Sequence, residues 1–287
     1  MSLLTETARV LLNGLQTGAI YVLLAMGLSI ILGTLKFVNF AHGALYLLGL
    51  YAGILISQQT DFSQGQLAEY GLSTLGLDWG FLAALVLVPL IVFVLGIAME
   101  RFVARPFYDR PDTDQILFTF GLAIVVQQVV RILFGGNSQN FAQPGWAAGP
   151  VALPLVGGFP QWRLWVIGIT AVLVMIVYGL IEFTDFGLVV RAGTQDAEMV
   201  QLLGIRITRP YIAVFGIGAA LAGVAGVVGG LLLGITESFL IQWSLVIPSL
   251  GIDYGFAPWS QVGIYAIAAI ILLVRPQGLF GSEVDVS

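Results

Sequence analysis

Long apolar stretches alternate with short polar ones along the whole chain. Residues 10–35 give 26 positions without Asp, Glu, Lys or Arg, 79–99 give 21, 164–181 give 18 and 210–236 give 27. A hydrocarbon core of about 30 Å is crossed by roughly 20 helical residues. The repetition of that length predicts spans at 10–35, 37–57, 79–99, 115–134, 164–183, 211–235 and 254–274. The stretch 239–256 is apolar but interrupted by Pro248, Gly251 and Asp253, and reads as a re-entrant segment. The expected fold is all-α: a polytopic transmembrane helix bundle of about seven to eight membrane segments, with one domain over residues 1–287.

The polar connections orient the bundle. Arg101, Arg105, Arg110, Arg191, Arg206 and Arg209 lie in 100–114 and 184–210, whereas 58–78 and 135–163 contain only Arg163. Lys and Arg accumulate in cytoplasmic loops, so the first pair is expected inside and the second outside. Arg275 places the C-terminus inside as well. Lys36, between the first two spans, favours an inside turn and an outside N-terminus. A kink within a membrane-embedded hairpin at the same point would reverse that.

Composition agrees and excludes several functions. Hydrophobic residues make up 58% of the chain and charged residues 9%, against about 25% charged in soluble domains. There is no cysteine, so disulfides, thiol nucleophiles and thioester anchors are excluded. Net charge is −5 without a basic run, which argues against nucleic acid. The first apolar run is too long for a signal-peptide core and lacks a small-residue cleavage site, so it is read as a retained helix. No phosphate-binding Gly-x-x-x-x-Gly-Lys loop precedes Lys36, the only lysine, and one histidine cannot form a His-Glu-x-x-His metal motif. No catalytic residue, metal site or cofactor is expected in this chain. The interiors of 79–99, 164–183 and 211–235 carry no ionisable group, unlike ion-coupled carriers. Energy for transport must then come from another subunit.

Two constellations carry candidate function. Asn39, His42 and Gly43 open the second span. Buried polar groups at membrane depth either bond neighbouring helices or line a path for a polar solute. Glycines crowd the first span (Gly18, Gly27, Gly33) and the sixth (Gly216, Gly218, Gly223, Gly226), which suits close helix packing or a moving helix interface. The second constellation is 194–204 in the loop 184–210. Thr194 can cap a short helix, Asp196 suits its first turn and Gly204 its end. Ala197, Met199, Val200, Leu202 and Leu203 give it an apolar surface, and its polar face holds Gln195, Asp196, Glu198 and Gln201. Lipid-lying helices carry Lys or Arg there, so a protein groove is the better match.

These stretches resemble the permeases of branched-chain amino acid ABC importers, the high-affinity leucine/isoleucine/valine type. The likeness is carried by Asn13-Gly14 to Gly18, Asn39 to Gly43, Thr119-Phe120-Gly121-Leu122, Arg191 to Ile205, Ala219 to Gly226, and Arg275-Pro276-Gln277-Gly278-Leu279-Phe280-Gly281. It implies a multi-pass protein of the bacterial inner membrane. The implied partners are membrane lipid, a second related permease, two cytoplasmic ATPase subunits holding Mg-ATP, and an external solute-binding protein. It implies a translocation path at Asn39, His42 and Gly43 with Asn13 and Gln16, and ATPase coupling through Arg191, Asp196, Ala197, Val200, Leu203 and Gly204. Urea and short-amide permeases share the Asn-x-Ala-His-Gly signature and are the alternative. Two departures stand out. Ala44 follows Gly43 where the family often has Glu, and Gly226 runs on to Leu231 where the family inserts some tens of residues. The second departure leaves a non-transporting member as a further alternative.

Overall fold

The computed structural model describes residues 3–108, 110–135, 144–154, 156–226, 244–247 and 252–255. α1 is Leu3–Leu35, α2 His42–Ser57, α3 the single turn Gln66–Glu69, α4 Phe81–Met99 and α5 Asp112–Phe134. α6 follows at Gln161–Phe183, then α7 at Asp185–Gln195, α8 at Ala197–Leu202 and α9 at Thr208–Ala225. Three small antiparallel pairs join strands β1 (Thr60–Asp61) and β2 (Thr74–Leu75), β3 (Pro150–Leu153) and β4 (Gly157–Pro160), and β5 (Ser244–Ile247) and β6 (Ile252–Gly255). The architecture is an all-α polytopic bundle. Among the described residues, five helical stretches are long and apolar enough to cross a membrane: those containing α1, α4, α5, α6 and α9.

Most described spans start and end close to their predicted limits, with three instructive differences. The first helix begins at Leu3 rather than at residue 10 and takes in Glu6 and Arg9. The second helix begins at His42 rather than at residue 37. Its 16 residues rise roughly 24 Å, short of a hydrocarbon core of about 30 Å. The charged stretch after Met99 is not a loop at its start, because helical turns continue through Phe107. The later part of the 211–235 span, the 254–274 span, the junction at 227–231 and the C-terminus lie outside the described residues. Within 239–256, β5 and β6 supply pairing for backbone that Pro248 and Gly251 would interrupt in a helix.

α9 is the centre of the bundle and meets α1, α2 and α4. Many of its inward positions are small: Gly216, Gly218, Ala219, Ala222, Gly223 and Ala225 are buried, beside Val214, Phe215, Leu221 and Val224. In hydrocarbon the apolar effect does not drive helices together, so close van der Waals contact must. A Cβ built on Gly49 of α2 would stand 2.5 Å from the Gly223 Cα, and one on Gly27 of α1 would stand 2.5 Å from the Gly218 carbonyl oxygen. Larger side chains at either crossing would hold the backbones apart. α5 and α6 lie at the periphery and expose Leu117, Ile124 and Val125, and Val172, Met175 and Ile176, the aliphatic surface a lipid-facing helix presents.

The two ends of α1 identify its sides. Arg9 near its start donates to the Val156 carbonyl at 2.9 Å, in the 135–163 connection. Phe37, just past its end, lies against Tyr108 in the arginine-bearing 100–114 connection. The first end of α1 thus shares a side with the arginine-poor loops, and the Lys36 turn faces the arginine-rich side.

Gly49→Val is expected to cost about 1–3 kcal/mol through overpacking, seen as a lower unfolding midpoint in detergent. Gly33 has nothing within 4 Å of a built Cβ, so Gly33→Ala should leave stability unchanged or raise it by about 0.5–1 kcal/mol.

Candidate functional site

The helix break at residues 36–41 is the centre of the site. Lys36 ends α1 in the left-handed conformation, at φ 50°, while its N–H still reaches the Leu32 carbonyl at 3.0 Å. Phe37 turns inward and is fully buried, with ring centroids 5.7 Å from Tyr108 and 6.3 Å from Phe215. The next N–H groups have lost their helical acceptors, and unpaired backbone at membrane depth costs several kcal/mol per group. α5 supplies replacements. Val38 N–H donates to Gln115 Oε1 at 3.0 Å, and Phe40 N–H donates to Thr119 Oγ1 at 3.1 Å. The Thr119 hydroxyl gives its own hydrogen to the Gln115 carbonyl at 2.7 Å. The Gln115 amide nitrogen donates to the carbonyls of Phe107 and Arg110 at 3.2 and 3.1 Å.

A second, ionic anchor lies beneath the break. Glu100 is only 1% exposed. It accepts from Arg105 Nε at 3.1 Å, from Arg105 Nη2 at 2.9 Å and from the Tyr108 hydroxyl at 3.3 Å. A buried carboxylate is tolerable only when paired and hydrogen-bonded in this way. Burial holds the Tyr108 hydroxyl above the usual tyrosine pKa, and the neighbouring Glu100 charge raises it further.

This scaffold brings together Asn39, His42 and Gly43. Asn39 is 1% exposed, and neither its amide oxygen nor its amide nitrogen has a partner. His42 Nε2 lies 3.1 Å from the Leu24 carbonyl oxygen. A carbonyl can only accept, so the hydrogen sits on Nε2. His42 Nδ1 is buried without a partner. Gly43 is exposed with open space where a Cβ would stand. Asn39, His42 and Gly43 line a cavity of about 340 Å³ whose other walls come mainly from Leu24, Leu28 and Leu32 of α1 and from Phe40. Ala44 is buried against Ala41 and Ala123 and adds no charge.

Asn13 and Gln16 are not part of this cluster. They precede the His42 partner Leu24 by 11 and 8 residues on α1, roughly 16 and 12 Å along the axis. Asn13 Oδ1 accepts from Arg163 Nη1 on the other side of the bundle, and Gln16 is half-buried.

The helix expected at 194–204 is the second of two helices. α7 is capped by Thr184, whose hydroxyl accepts from Gly187 N–H at 3.1 Å. The cap of the second helix, α8, is Asp196 rather than Thr194: Asp196 Oδ1 accepts from Met199 N–H at 2.8 Å, while the Thr194 hydroxyl donates to the Arg191 carbonyl within α7. A carboxylate also answers the positive helix end better than a hydroxyl does. Gly204, at φ +82°, closes α8 with Ile205 N–H on the Val200 carbonyl and its own N–H on that of Gln201, a left-handed C-terminal cap. Arg191 is tied to the Ile181 carbonyl and, at 3.2 Å, to Glu182. Tyr211 at the start of α9 donates to the Gly193 carbonyl at 3.1 Å. Ala197 is half-buried and Val200 faces the bundle, whereas Leu202 and Leu203 are 76% and 72% exposed.

Glu100, Gln115 and Tyr108 were not singled out from the sequence. Glu100 is the first charge after 21 apolar positions, and Gln115 is a polar residue at the mouth of a span. Those placements were the available signals.

The profile of a family described as the permease component of branched-chain amino acid transport systems matches residues 10–281. The chain is 26% identical over 315 positions to the high-affinity branched-chain amino acid transport system permease protein LivH of Escherichia coli K12, covering 94% of each. It is 27% identical over 318 positions to the corresponding Pseudomonas aeruginosa protein BraD, again with 94% of each covered. Both alignments are longer than the 287 residues of this chain, so each relative has positions with no counterpart here. No solved structure matches.

Gln115→Ala should strand the Val38 N–H and cost about 1–3 kcal/mol. Hydrogen exchange of the Val38 amide should accelerate accordingly, and Thr119→Ala should do the same at Phe40. For Tyr108 the sign is alkaline. The unfolded phenol ionises near pH 10 while the folded one resists, so stability present below that pH is lost above it. Tyr108→Phe should flatten this loss in unfolding midpoints measured from pH 9 to 11.

Proposed function

The chain belongs to the permease family of branched-chain amino acid transport systems, as a membrane-spanning subunit of an ABC importer, and we propose that it moves branched-chain or similarly apolar amino acids across the bacterial inner membrane. The observation that carries this reading is the family match across residues 10–281, together with relatives whose names state that transport. The uncharged, largely aliphatic cavity at the α1–α2 break is consistent with an apolar solute.

In this reading the chain supplies no catalytic residue. It pairs with a second related permease and two cytoplasmic ATPase subunits that bind Mg-ATP, and it receives solute from an external binding protein. The C-terminus lies in the cytoplasm. α7 and α8 form the coupling element. Met199, Leu202 and Leu203 present its exposed apolar face, and the Asp196 and Gly204 caps fix its ends. ATP binding draws the ATPases together, α8 transmits the displacement, and the Tyr211–Gly193 bond carries it to α9. The path passes the α1–α2 break at Asn39, His42 and Gly43.

A urea or short-amide permease is the second reading, favoured by the unpartnered Asn39 amide. LivH has positions without counterpart here, and the direct run from Gly226 to Leu231, where the family inserts residues, keeps the alternative of a non-transporting member.

Co-expression with candidate ATPases, second permease and binding protein, followed by reconstitution, tests all three. The expected result is leucine-stimulated ATP hydrolysis with leucine uptake that urea and acetamide do not inhibit. Inhibition by the amides would favour the second reading, and an intact complex without uptake the third. Leu203→Asp should weaken ATPase association about tenfold or more, the scale of a central apolar contact. Unchanged co-purification and uptake in that variant would sink the coupling assignment.

A further inference from the structure

We propose, resting on the amino-acid reading above, that the cavity at the α1–α2 break binds the zwitterionic head of the solute through Asn39, His42 Nδ1 and the first turn of α2, with the apolar side chain against α1. Three observations carry this. Asn39 is 1% exposed, lines the cavity, and leaves a donor pair and an acceptor unpaired. Such a group is costly in a finished core, and a ligand with both donors and acceptors removes the cost. His42 spends Nε2 on the Leu24 carbonyl, which fixes the ring and leaves Nδ1 unpartnered as an acceptor. α2, a helix of 16 residues, begins at this point. Among the described residues no acceptor is recorded for the Gly43 N–H, and no side chain covers Gly43.

The geometry divides the head into two halves. A carboxylate is drawn to the positive end of α2 and to the two amide hydrogens of Asn39. An ammonium donates to Asn39 Oδ1 and His42 Nδ1. No charged side chain lines the cavity, so a zwitterion of zero net charge is favoured over an anion or a cation, whose single charge would stay unmatched. Leu24, Leu28 and Leu32 then form a wall for a branched aliphatic side chain. A volume of about 340 Å³ leaves this wall largely unfilled by urea or acetamide.

The test uses the complete reconstituted importer and compares initial uptake of leucine and alanine. Asn39→Ala should lower uptake of both about tenfold, since both have the same head. Ala25 also lines the cavity and is exposed to it. Ala25→Leu narrows the aliphatic side and should lower the leucine-to-alanine uptake ratio about tenfold, within the range one or a few methylenes command in an apolar pocket. A folding defect would depress both solutes equally and leave that ratio unmoved. Wild-type uptake in Asn39→Ala, or an unchanged ratio in Ala25→Leu, overturns the site while the transport function stands. A wild-type complex that takes up amides but neither amino acid overturns the site together with the reading beneath it.

Discussion

Backbone polar groups cannot go unpaired in hydrocarbon, and one end of this bundle is organised around the place where a helix gives them up. Between Leu35 and His42 the chain stops being helical. α5 answers with Gln115 and Thr119, which take the N–H groups of Val38 and Phe40. The intervening Asn39 faces the cavity with nothing to bond. The support and the missing partners therefore have one origin: alternate residues of the break are satisfied by α5 while the buried side chain between them stays unpartnered. Gln115 extends the same support to Phe107 and Arg110. The Glu100–Arg105 pair holds Tyr108 against Phe37. A neutral network and an ionic one thus meet at the same turn.

The second organising feature is the pairing of glycines at the α9 crossings. Where Gly49 meets Gly223 and Gly27 meets Gly218, backbone approaches backbone, and the Ile31 and Val92 side chains fill the space where Cβ atoms on Gly218 and Gly223 would stand. The Gly27–Gly218 crossing also lies beside the His42 ring, whose Cε1 would stand 3.1 Å from a Cβ on Gly27. Close packing at the centre and the placement of the imidazole are therefore one geometric fact. A displacement of α9, which reaches α7 through Tyr211, acts on both.

Spans were legible in the sequence because length and charge placement decide them locally. α1 stops at Leu35 beside Lys36 and α6 at Phe183 beside Glu182, whereas α1 begins beyond Arg9 and Glu6 and helical turns run on past α4 through Phe107. Asn39, His42 and Gly43 were legible as polar groups in an apolar setting, and the structure does gather them. Asn13 and Gln16 are distant because a single long helix carries them away from the break. Gln115 and Glu100 escaped, and Thr119 stood only in a family motif without a role, because their importance lies in partners. Val38 and Gln115 are 77 positions apart and Phe40 and Thr119 are 79 apart, and no local pattern encodes that pairing. The exchange of Thr194 for Asp196 as the α8 cap is subtler: both residues suit the role, and the chain continues α7 through Thr194 before it turns.

Lys36 closes α1 at the edge of the break, exposed and in a left-handed conformation. It is also the one lysine in the sequence. The molecule therefore carries a single side-chain amine, at the hinge between the helix that forms the aliphatic wall and the helix that begins beside Asn39. A fluorophore or spin label attached there by amine chemistry would report from the turn itself, without a residue being introduced anywhere in the bundle.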